Sequence, residues 1–134
     1  MIRQLDVPIY EANVLFLLET TGEEWAIFCD NEINKGKLTD DEIKYFFNEI
    51  ATDDYAGTTS SLDGGGYVVL IKQAHKPFCF THELYHCVDK ILKERGVEHS
   101  DNDEAYAYMI GWINEQYHKI LKEFDEENEN KRDK

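Results

Sequence analysis

Residues 55–96 read YAGTTSSLDGGGYVVLIKQAHKPFCFTHELYHCVDKILKERG, and the fold turns on this stretch. Tyr67–Ile71 is a short, β-branched apolar run of strand length. Tyr55–Leu62 ahead of it is β-prone but polar. Asp63-Gly64-Gly65-Gly66 lies between them and offers the positive-φ positions that a hairpin turn needs. The pair predicts an interior apolar strand and an exposed polar edge. Pro77 suits the first turn of a helix, where its missing N–H costs nothing, and Gly96 suits a left-handed stop, so a helix is expected over 77–95.

Outward from this stretch, Ala12–Glu19 (ANVLFLLE) predicts a buried strand, with Pro8 favouring extended backbone just upstream. Thr21 and Glu24 form a capping box for a short helix through Trp25, Ile27 and Phe28. Residues 34–37 read as a loop. Thr39 and Glu42 form a second capping box, opening a helix in which Ile43, Phe46, Phe47 and Ile50 recur at helical spacing. Ser100 or Asp101 should cap a last helix, from about residue 102 to 124. Tyr106, Met109, Ile110, Ile113, Tyr117 and Ile120 would form its apolar face. The architecture expected is α+β, a small mixed or antiparallel sheet packed with about four helices. Residues 1–124 read as one domain and 125–134 (DEENENKRDK) as a charged, frayed tail.

The 134 residues are 42% hydrophobic, and seven Phe, eight Tyr and two Trp are enough for a packed core, which excludes a chain disordered throughout. No apolar run approaches the length of a membrane span, and the N-terminal residues lack the apolar stretch of a secretory signal, so a cytoplasmic protein is expected. Three cysteines without paired spacing (Cys29, Cys79, Cys87) fit reduced thiols. A net charge of −14 repels phosphate backbones and anionic lipid, so neither nucleic acid nor membrane is an expected partner. The same charge leaves one opposite reading, an acidic decoy that imitates DNA.

His82-Glu83-Leu84-Tyr85-His86 is an H-E-x-x-H motif within the helix expected over 77–95. Positions i and i+4 lie one turn apart on nearly the same face, so both imidazoles can address one metal ion. Glu83, about 100° round the helix, is placed to hold a water without ligating. Neutral nitrogen ligands, an open position and a carboxylate base are what a hydrolytic zinc site requires. The longer H-E-x-x-H-x-x-G-x-x-H pattern fails, because no Gly stands at its place and position 92 is Leu. The third ligand is therefore sought in residues 98–104. Glu104 is favoured because small Ala107 and Gly111 on its stripe would let two helices approach; His99 is the rival. Asp89, on the stripe of His82 and His86, is a candidate carboxylate partner for an imidazole N–H. Cys79 and Cys87 read as small buried apolar residues, and His75 and His118 as ordinary surface or core histidines.

HELYH followed after a short loop by DNDEAYAYMIGW resembles the compact gluzincin branch of zinc metallopeptidases. It is similar to the ImmA/IrrE-type peptidases and to small phage-encoded zincin-like proteins over about residues 77–113. The resemblance implies a minimal zincin-like fold, one zinc ion held by His82, His86 and Glu104, Glu83 as general base, and a protein or peptide substrate. Tyr108, on the Glu104 stripe, is the candidate donor to the oxyanion. The polar edge near Thr58–Leu62 could receive an extended peptide by strand addition. Two other classes fit the same residues: a catalytically inactive, metal-stabilised interaction module, which needs the ligands but not Glu83, and the acidic DNA mimic, which needs no metal.

Overall fold

Two strands of this protein are apolar on both faces, which requires helices on each side of the sheet. The computed structural model describes residues 1–32 and 34–132 and has this arrangement. Strands β1 (Ile2–Val7), β2 (Ala12–Leu18), β3 (Gly57–Ser61) and β4 (Tyr67–Ile71) form one mixed sheet in the order β1-β2-β4-β3. β1 runs antiparallel to β2, β2 parallel to β4, and β4 antiparallel to β3. Val14, Phe16 and Leu18 with Tyr67, Val69 and Ile71 point to one face, which α3 (Pro77–Glu94) and α4 (Asp103–Arg132) cover. Leu15, Leu17, Val68 and Leu70 point to the other, where α1 (Gly22–Asp30) and α2 (Asp40–Ala51) insert Trp25 and Phe46. The fold is α+β, four helices about a four-stranded mixed sheet.

Local chemistry sets several of these elements. Both capping boxes form: the Glu24 and Glu42 amides donate to the Thr21 and Thr39 hydroxyls at 3.1 Å, and each glutamate accepts from its threonine's amide in return. The hairpin closes through the Leu62 amide on the Gly66 carbonyl at 3.0 Å, with Gly65 and Gly66 at φ +91° and +97°. Gly96, at φ +75°, ends α3 as expected.

Three expectations need correction. β1 is a half-exposed edge strand with no strand signal of its own in the sequence; its register, Ile2 opposite Leu17 through Val7 opposite Ala12, comes from β2. The cap of the last helix is neither Ser100 nor Asp101, which lie in a single 3₁₀ turn over His99–Asp101. The Asn102 carbonyl instead accepts the first amides of α4, from Ala105 and Tyr106. And α4 does not stop at Phe124 but continues to Arg132. Glu123 and Glu127 hold Arg3 of β1 at 3.0 and 2.7 Å, and Asp125 pairs with His75 at 2.6 Å, so residues 125–132 are a docked helix rather than a frayed tail. Asp133 and Lys134 of that expected tail lie outside the described residues. Among the described residues, no helix is long and apolar enough to cross a membrane.

Candidate metal centre

Helix α3 buries Phe80, Leu84, Cys87, Val88 and Ile91 against the sheet and α4, which leaves the stripe through Phe78, His82 and His86 outside. The His82 and His86 Nε2 atoms lie 3.2 Å apart. Two nitrogens at 2.0–2.1 Å from one tetrahedral ion stand about 3.3 Å apart, so the pair matches two corners of a zinc site. Exposed aromatic rings flank it: Phe78 is 5.9 Å from the His82 ring and Tyr85 is 5.9 Å from that of His86.

Glu83 turns the other way, towards edge strand β3, and is only 6% exposed. The Thr59 hydroxyl lies 2.9 Å from Glu83 Oε1 and 3.1 Å from its carbonyl oxygen, so the buried carboxylate has a donor. Gly57 makes the approach possible, because a Cβ there would stand 2.7 Å from the Leu70 carbonyl oxygen and 3.1 Å from Glu83 Cγ. The alternation Gly57, Thr59, Ser61 carries one face of β3 over α3, and Ser61 reaches Glu94 at 3.1 Å. In the sequence, only the alternation of β3 bears on a pairing of position 59 with position 83, and that alternation does not say which helix the strand faces.

The other anticipated residues lie elsewhere. Phe80 stacks on Tyr117 with ring centroids 3.5 Å apart, and the Tyr106 hydroxyl donates to Asp89 Oδ1 at 3.1 Å. These contacts fix α3 and α4 as an antiparallel pair and put residue 104 roughly 8–10 Å along the axis from the level of His86, at 1.5 Å per residue. Glu104 also sits about 160° round α4 from Tyr106, so it is exposed. Its stripe of Ala107, Tyr108 and Gly111 faces outward, with Tyr108 58% exposed and nothing within 4 Å of a Cβ built on Gly111. The expected close approach along that stripe is not made. Burial of Tyr106, Met109, Ile113, Tyr117, Ile120 and Phe124 outweighs it, each large side chain contributing about 1.5–3 kcal/mol where Ala and Gly have little area to bury.

Tyr108 borders a small cavity with Val7, Pro8, Ile9 and Trp112, on the side of α4 near the β1–β2 turn, away from the histidines. Asp89 spends its carboxylate on Lys93, at 3.0 Å, and on Tyr106 rather than on an imidazole; the lysine first, then the tyrosine hydroxyl, holds it below the usual carboxylate range against the opposing pull of desolvation. His99 packs edge-on against Tyr106 with centroids 4.5 Å apart. Cys79 and Cys87 are buried free thiols, and burial pushes Cys87 up to about 12, so it offers no thiolate at neutral pH. Among the described residues, no cluster of three or more His, Cys, Asp or Glu is placed to enclose an ion. The structure therefore brings together His82 and His86, sets Glu83 beside them facing β3, and leaves Glu104, His99 and Tyr108 apart. Comparison with protein-family models, curated proteins and solved structures finds no match to this chain.

Proposed function

We propose that this protein is a zinc-dependent peptidase of the compact gluzincin kind, in which His82 and His86 hold the ion and Glu83 is the general base. The observation that carries this reading is the 3.2 Å separation of two accessible imidazole nitrogens one helical turn apart, with a carboxylate at the intervening position of the motif. The donor set suits zinc at two positions. Glu104 is proposed as the third ligand, which requires the 98–104 segment to present it towards α3; His99 is the alternative. When bound, zinc supplies Lewis acidity, making water more acidic and polarising a carbonyl.

The remaining roles belong to side chains and backbone. Thr59 holds Glu83 Oε1, which orients the carboxylate and leaves Oε2 to take a proton from water and return it to the leaving amine. β3 is paired on one side only, so its outer edge can align an extended peptide through main-chain hydrogen bonds alongside α3. A protein or peptide is the substrate this supports, and an acidic surface disfavours nucleic acid.

A second reading is favoured by the burial of Glu83. A carboxylate only 6% exposed and bonded to Thr59 is also what a structural residue looks like, and a metal-stabilised interaction module would keep it in that role. Glu83→Gln separates the two. Gln matches Glu in size but cannot take a proton near neutral pH, so the peptidase loses about 10²–10⁴ in rate while keeping its zinc. Mass spectrometry of new N-termini in an unfolded protein pool, with a chelator control, reads the outcome. Indistinguishable termini from wild type and Glu83→Gln would transfer the proposal to the interaction module.

A further inference from the structure

A substantial cleft lies away from the histidines. It lies across the sheet from α3, where the hairpin turn meets the loop between α1 and α2, and encloses about 420 Å³. That is within the usual range for small-molecule sites, roughly 300–1,000 Å³. Leu15, Phe28, Leu38 and Leu62 give it an apolar wall, and Phe28 is held in place by stacking on the buried Trp25 ring at 5.7 Å and 15°. Asn13, Asn34 and Lys37 supply polar groups.

Its charge sets the cleft apart. The chain carries 28 acidic residues against 14 basic ones, yet the described lining contains Lys37 and no acid. Lys37 makes no ion pair among the described residues. An exposed lysine and an exposed asparagine bordering an apolar wall are complementary to a molecule with one anionic group on a flat apolar body. We propose that this cleft binds a small aromatic carboxylate, Lys37 taking the anionic group, Asn13 orienting it, and Leu15, Phe28 and Leu62 covering the ring. The site needs neither metal nor Glu83, so it stands or falls apart from the peptidase reading.

Gly64 provides a way to close the cleft. Its φ is not positive, and a Cβ there meets only the Lys37 carbonyl oxygen at 4.0 Å, so a side chain is tolerated and would fill the mouth. The test is an amide-resolved NMR titration of the whole chain with 2-naphthoate and, separately, neutral 2-naphthamide. Expected are saturable shifts at residues 13, 37 and 64–66 with naphthoate. Lys37→Gln should weaken naphthoate about tenfold, the usual worth of one charge-assisted contact, with naphthamide little changed. Gly64→Phe should abolish both while the remaining spectrum stays native. The proposal is overturned if naphthoate fails to saturate in the millimolar range, if the shifts centre on α3, or if Lys37→Gln weakens both probes equally.

Discussion

Among the described residues, the Glu83 carboxylate, 6% exposed, has the Thr59 hydroxyl as its side-chain donor. Thr59→Val keeps the shape and removes the hydroxyl. It should cost about 1–3 kcal/mol in urea unfolding, the penalty for a buried acceptor left without a partner. Thr59→Ser, which keeps the donor, should recover most of that loss. Equal stability of wild type and Thr59→Val would mean that water supplies the bond. The motif on α3 was legible because H-E-x-x-H is local and its geometry follows from 3.6 residues per turn. Thr59 was not, since its role depends on which helix face β3 covers, a tertiary fact.

At the scale of elements, most local signals are realised by the fold, the Ser100 or Asp101 cap being the exception. Both capping boxes, the Asp63–Gly66 turn and the Gly96 stop involve residues within a few positions of one another. The far end of α4 depends on distant partners, Glu123 and Glu127 on Arg3 and Asp125 on His75, and composition alone makes it look like a tail. The Thr39 cap yields a pH-dependent prediction. Burial would raise the Glu42 carboxyl, but the amides of Thr39 and Asp63 and the Thr39 hydroxyl together bring it below its ordinary 4.5. A carboxyl lowered on folding stabilises the protein above the ordinary glutamate range, and that contribution fades as pH falls through the folded value. Thr39→Ala should therefore cost about 1 kcal/mol at neutral pH. The gap from wild type should narrow below about pH 4.5. A gap independent of pH in paired thermal melts would sever the cap from the Glu42 charge.

For the whole molecule, sequence patterning is enough to give the class of fold, because two apolar strands and four amphipathic or capped helices leave few ways to bury their surface. The complete metal site was less legible. Small Ala107 and Gly111 beside Glu104 resemble a contact surface in the sequence, whereas the large residues of α4 claim the buried side and turn that stripe to solvent. For the third ligand, Glu104→Ala should weaken zinc binding strongly and His99→Ala little, and the reverse order in a metal titration would move the assignment to His99. The most direct test of the central claim is zinc content by elemental analysis after expression in zinc-supplemented medium, for wild type, His82→Ala and His86→Ala. The account predicts about one zinc per wild-type chain and loss of stoichiometric zinc from both variants. A metal-free wild-type protein, or variants that keep their zinc, would contradict it.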